Sequence, residues 1–193
     1  MSPEATGASP WTAAWYYVNL PRDGTCTYRA DRGCLQGACV SGAIERQLGV
    51  LAYQAPDDVR LKALKYAVHL VREAHQPLHS GFAEGSCGNL YQLHAFGRGT
   101  NLHNVRDTSL IQQWPGGVDA LRVAINAAGA ATDETLPPSE WVASSCRVAS
   151  ADGLYPADHK LASDYVQRWN ATLVQQLATA GHRLAQVLNK ALV

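Results

Sequence analysis

Between Leu161 and Leu188 an apolar residue returns every three or four positions: Leu161, Tyr165, Trp169, Leu173, Leu177, Ala180, Leu184 and Leu188. That spacing puts them on one face of a single helix spanning about 159–191, and such a face has to be covered along its whole length by other elements. The rest of the chain supplies helices to cover it. Val40, Ile44, Leu48 and Leu51 form a second stripe, and Pro56-Asp57-Asp58 opens a helix that runs to about His75 and is stopped by Pro77. Asn101 caps a helix over 102–113 that closes at Pro115-Gly116-Gly117. Two more are expected at 118–129 and 138–150, the latter opened by Pro138-Ser139.

Trp11 to Leu20 (WTAAWYYVNL) reads as a short strand or extended segment, SGFAEGSCGN and GRGTN as loops, and residues 1–10 as a flexible tail. There is no internal repeat and no linker. The expectation is an all-α fold: a single mostly helical domain over 11–193 with long irregular loops. Its 193 residues suit one buried core and little more. With 16 Lys and Arg against 16 Asp and Glu, the charge balance argues against a protein that grips nucleic acid through a broad basic surface, while leaving room for a local phosphate site. No apolar run approaches the ~18 residues a membrane span needs, so no membrane partner is expected.

The five cysteines are Cys26, Cys34, Cys39, Cys87 and Cys146, and no two are spaced Cys-x2-Cys. Two readings stand. Either a loop is stapled by a Cys34–Cys39 bridge, with a second bridge from Cys26 elsewhere, in an oxidising compartment, or the five are unrelated thiols. The opening MSPEATGASP has neither a basic nor an apolar signal region, so no secretory signal is visible in this chain.

The histidines carry the chemistry. His69, His75, His79, His94 and His103 fall within 35 residues. His69 and Glu73 are four apart on one helix, and His103 and Asp107 repeat that spacing on the next. His79 lies just past Pro77, where the chain has left its helix and can turn back. Two helical His/carboxylate pairs plus a loop histidine are how helical proteins assemble zinc sites, and an open zinc position activates water. The plain alternative for either pair is a surface ion pair. His75 is read as a non-ligand, His94 as a solvent or core residue, His159 as a helix-start residue and His182 as a surface one. The Asn170-Ala-Thr172 sequon lies inside the long helix and is read as chance.

His69-Leu-Val-Arg-Glu-Ala-His-Gln-Pro-Leu-His79, then Cys87-Gly-Asn89, then Asn101-Leu-His-Asn-Val-Arg-Asp107, resembles the signature of the zinc-dependent single-strand nucleases of the nuclease S-one/P-one type, which are related in fold and metal site to the zinc-dependent phospholipases C. The similarity continues through WYYVNLP, WVASSCRVASADGLYP and AGHRLAQVLN, and so covers nearly the whole chain. It implies a mostly helical, secreted or periplasmic, monomeric phosphodiesterase acting on single-stranded DNA or RNA and on nucleotides by zinc-activated water. His79, His103 and Asp107 match all three protein ligands of one zinc (Zn2+) site. His69 and Glu73 match part of a second, with Glu73 on a longer arm than the family's usual Asp. Disulfides Cys34–Cys39 and Cys26–Cys146 are implied, with Cys87 free. Asn19 stands where fungal members contact the base with an Asp. Arg72, Arg98 and Arg106 are candidates to neutralise phosphate.

The departures set further expectations. Tyr16 stands where the family has a zinc-binding His, and no His precedes Trp11, where Glu4 is the one acid. The resemblance thus implies that the chain starts after the family's N-terminal segment, with one zinc site complete, a second partial and activity weakened. A phospholipase C on the same scaffold and an inactive zinc-stabilised domain are the competing readings.

Overall fold

The computed structural model describes residues 10–21, 23–129 and 135–192. Most of the tail expected at 1–10 therefore lies outside the described residues. The fold is all-α apart from one small hairpin. Helix α1 is Val40–Ala52 and helix α2 is Asp57–Ala74, opened at Pro56 with Asp57 and Asp58 in its first turn, where carboxylates favour the helix dipole. Strands β1 (Gln92–Ala95) and β2 (Arg98–Asn101) pair antiparallel. Helix α3 covers 102–112, α4 is Gly117–Ala128, α5 is Pro138–Ala149 and α6 is Ser163–Ala191. Among the described residues, no helix is long and apolar enough to cross a membrane.

The stripe on α6 organises the packing as its period demands. Tyr165, Trp169 and Leu173 are buried with Leu78, Leu102, Val105, Leu110 and Leu154, and Leu177 packs at the margin of that cluster. Leu184 packs on a second cluster built from α1, α2 and α5, including Ile44, Leu70, Val71, Trp141 and Val142. Leu188 reaches a third, around Leu51, Ala63 and Ala67. One helix thus ties the separate apolar clusters together.

Three expectations are corrected. The segment from Trp11 does not begin extended: Pro10–Tyr16 is a 3₁₀ helix, and only 17–20 are extended. The helical turn lets neighbouring rings reach successive turns of α2, Trp15 against Tyr66 and Tyr16 against His69. The GRGTN loop is strand β2, turned back by Phe96 and Gly97, both at positive φ, in the manner of a tight hairpin turn. Finally α6 starts at Ser163, not 159, because His94 N–H donates to the His159 carbonyl and Leu161 N–H to the His94 carbonyl, holding 159–161 as a strand-like bridge on β1. His159 is therefore not a helix-start residue; its ring stacks on Tyr91 at 4.4 Å.

Both implied disulfides are present, Cys26–Cys146 and Cys34–Cys39, and Cys87 is free and buried. Asn101 caps α3 as expected, its Oδ1 accepting the Asn104 N–H at 2.8 Å. Asn101→Ala is expected to cost about 1 kcal/mol, read as a lowered urea midpoint.

His75 belongs to a buried latch between α2 and α6. Its Nδ1–H donates to the Val71 carbonyl at 2.7 Å, and its Nε2 accepts from Arg183 at 3.0 Å. Burial, reinforced by the Arg183 charge, pushes the imidazole down to about 4. A depressed folded-state value means the unfolded chain takes the proton first. The stability is whole above the unfolded value of about 6.5 and drains as pH falls towards 4, on the order of 3 kcal/mol in all. Urea titrations at neutral pH and near pH 4 should show this slope in the wild type and a flatter one in His75→Gln.

Candidate metal centre

The segment after α2 turns sharply at Pro77–Ser80, where the Gln76 side chain caps the turn by accepting the Leu78 N–H at 2.6 Å. The extended run 17–20 lies alongside: Val18 N–H donates to the His79 carbonyl at 2.8 Å, and Leu20 N–H to the Gly81 carbonyl at 3.1 Å. This clamp returns His79 to the end of α2. Its Nδ1 lies 2.6 Å from Glu73 Oε2, a close contact that falls off the line of the ring N–H.

His103 arrives from the first turn of α3. A run of positive φ at Ser86, Cys87 and Gly88 aims the Cys87 carbonyl at its Nδ1, 2.8 Å away. Gly88 suits that position: at φ +84 a Cβ would lie 3.0 Å from the Leu78 side chain and 3.4 Å from the His103 backbone nitrogen. A carbonyl only accepts, so Nδ1 carries the hydrogen and Nε2 presents a lone pair. That Nε2 faces His79 Nε2 at 3.2 Å, with the rings nearly parallel. His79 turns its other nitrogen to the Glu73 carboxylate, so the Nε2 atoms of both rings are aimed at one point. A cation shared between the two nitrogens, a proton or a metal ion, makes such a contact attractive. Two nitrogens on one tetrahedral zinc, each ~2.0–2.1 Å from it, sit ~3.3 Å apart, so the pair fits that ion.

Asp107 follows on the same helix, within a π turn, Val105–Ser109. It shares the wall of a cavity of about 60 Å³ with Arg72, Glu73, Gln76 and Arg106. Burial pushes the His103 imidazole down, opposed by the Cys87 carbonyl and the Asp107 and Glu73 carboxylates. Arg106 is only 3% exposed and lies over the Trp169 ring at 5.2 Å, while Arg98 is exposed on β2.

The His69/Glu73 corner is arranged otherwise. His69 Nε2 is 3.3 Å from Glu73 Oε1, as the helical spacing requires. Arg72 Nη2 reaches the same oxygen at 2.5 Å and His69 Nδ1 at 3.3 Å. Burial alone would raise Glu73, but His79 and Arg72 together pull it down to about 2. The Tyr16 ring meets His69 edge-on at 5.1 Å. Both edges of His69 and one Glu73 oxygen are taken by side chains, so this corner does not fit a second ion as it stands. Among the described residues, no three His, Cys, Asp or Glu side chains converge tightly enough to form a ready metal cage.

Beside His79 and His103 opens a larger cavity, about 370 Å³, lined also by Tyr16, Tyr17, Asn19, Ser86, Cys87 and Asn89. The Cys87 thiol donates to Asn19 Oδ1 at 3.6 Å, which leaves the amide nitrogen free of that contact. His94 and His159 are exposed on the hairpin side and His75 is bound in its latch. His182 is half-buried on α6 rather than a plain surface residue. Two features were not read from the sequence: the Cys87 carbonyl as orienter of His103, and Arg72 as partner of Glu73. The Cys-Gly-Asn turn was the available signal for the first; the adjacency of Arg72 and Glu73 gave none, since neighbours on a helix ordinarily point apart.

The chain is 29% identical over 212 residues to Endonuclease 2 of Arabidopsis thaliana, covering 93% of this chain and 72% of that protein. It is 28% identical over 215 residues to Nuclease S1 of Aspergillus oryzae (strain ATCC 42149 / RIB 40), covering 95% and 74% respectively. With Endonuclease 3 of Arabidopsis thaliana the identity is 32% over 108 residues, 53% of this chain and 36% of that protein. The family model described as S1/P1 Nuclease matches residues 4–193, a span that takes in both disulfides, the facing histidines and the whole of α6, and the chain therefore belongs to the S1/P1 nuclease family.

Proposed function

We propose that this chain is a zinc-dependent nuclease that hydrolyses phosphodiester bonds in single-stranded DNA or RNA and in nucleotides, with one zinc held by His79, His103 and Asp107. The observation that carries the reading is the pair of Nε2 atoms facing each other at 3.2 Å, with the His103 tautomer set by the Cys87 carbonyl. When bound, zinc supplies Lewis acidity towards a phosphoryl oxygen and activates water. The chain's own residues do the rest. The Cys87 carbonyl and Glu73 hold the two imidazoles in the facing orientation, the outer support on which metal sites depend. The cavity by Tyr17 and Asn19 is of a size to take a nucleobase, with the Tyr17 ring as a stacking surface and the Asn19 amide nitrogen as a donor. Asn19 is thus the substrate-binding residue of this reading.

Residues 11–193 are read as one domain acting as a monomer. The two disulfides support a secreted or periplasmic location, since such bonds persist in oxidising compartments. The test is zinc content together with hydrolysis of a single-stranded oligonucleotide and of a nucleoside 3′-phosphate. Chelation should abolish both activities and zinc should restore them. Full turnover by protein shown to be free of zinc would overturn the reading.

A further inference from the structure

We infer that the second positive centre of this site is the Arg72 guanidinium, not a second metal ion, and that it holds a non-bridging oxygen of the substrate phosphate. The inference rests on the reading of His79, His103 and Asp107 as a zinc site.

The hydrogen-bond accounting at the His69 corner closes without an ion. A guanidinium only donates, so His69 Nδ1, 3.3 Å from Arg72 Nη2, is the accepting nitrogen of that ring. His69 Nε2 then carries the hydrogen and faces Glu73 Oε1 at 3.3 Å. The same Glu73 oxygen takes Arg72 Nη2 at 2.5 Å. Arg72, His69 and Glu73 form a closed triangle in which the imidazole has no lone pair left for a metal. The remaining approach to the ring is filled by Tyr16, at 5.1 Å and nearly perpendicular. A divalent ion would have to break two hydrogen bonds of Arg72 and displace a cation from a carboxylate that is 7% exposed.

The guanidinium is also equipped to bind phosphate. All its hydrogen bonds run through Nη2, so among the described residues Nε and Nη1 are unused. The side chain is 53% exposed and lines the cavity that Glu73 and Asp107 also line. Its planar fork suits two oxygens of one phosphate, and the charge is permanent. Glu73 and His69 act as the bracket that holds the fork in place.

Zinc counting on the full chain, by native mass spectrometry after saturation and removal of free metal, tests the first half. The wild type should hold one zinc, lost in His103→Ala and retained in Arg72→Ala. Two or more zincs on the wild type overturn the inference and leave the zinc reading standing. None at all overturns the zinc reading itself, and the inference with it. Calorimetry of inorganic phosphate binding to the zinc-loaded protein tests the second half. Arg72→Ala should weaken binding by about tenfold, with Arg72→Lys recovering only part of the loss, because an ammonium cannot make the forked contact. An unchanged affinity in Arg72→Ala overturns the assignment.

Discussion

His103→Ala should strip the zinc and lower phosphodiester hydrolysis by about a thousandfold or more, since a catalytic metal contributes several kcal/mol to the transition state and each ~1.4 kcal/mol is a factor of ten. The size of the effect follows from where His103 sits. Its Nδ1 edge is fixed by the Cys87 carbonyl at 2.8 Å, which aims Nε2 at the His79 nitrogen 3.2 Å away. Removing it takes away one of three proposed ligands and leaves His79 paired only with Glu73. His94→Ala is the matching control. That histidine is exposed on β1, so zinc content and turnover should both match the wild type. A His103→Ala protein that keeps its zinc and its rate would refute the ligand assignment.

The largest effect on stability is expected from the Cys26–Cys146 bridge. It joins positions 120 apart in sequence, against 5 for Cys34–Cys39. If a crosslink acts by restricting the unfolded chain, the long loop contributes about 5 kcal/mol and the short one about 2 kcal/mol. Both sulfurs of the long bridge are buried in the cluster that contains Ile44 and Trp141, so the Cys26→Ala/Cys146→Ala double variant also loses packing there. Guanidinium unfolding of this variant, beside the Cys34→Ala/Cys39→Ala pair, should show the long bridge costing more than the short one. Equal losses would mean that the unfolded chain is already compact around these positions.

The sequence determined by itself those features that depend on local period and local chemistry. The α6 stripe, the Asn101 cap, the Pro77 stop and the i, i+4 pair His69/Glu73 are all set by residues within a few positions of one another, and they stand where the sequence puts them, whereas a π turn falls between His103 and Asp107. Contiguous motifs carried the family resemblance, and it was that resemblance, not local spacing, that implied both disulfide pairings, since Cys26 and Cys146 lie 120 positions apart. What failed was decided by partners far along the chain. The start of α6 moved to Ser163 because β1 captures 159–161, and a four-residue strand is too short to announce itself. The 3₁₀ turn before Tyr17 exists because Trp15 and Tyr16 have rings on α2 to meet.

The site divides in the same way. Which residues carry nitrogen and carboxylate donors was legible in the sequence. Only the tertiary structure decided which way each lone pair points, because that depends on a carbonyl sixteen residues from His103 and on a guanidinium that folds back along its own helix onto Glu73. Hydrogen bonds saturate: a nitrogen committed to one partner is withdrawn from every other. Residue types in order along a chain do not say which commitment wins, and here that commitment separates the facing His79 and His103 nitrogens from the His69 and Glu73 corner, where Arg72 takes the donors.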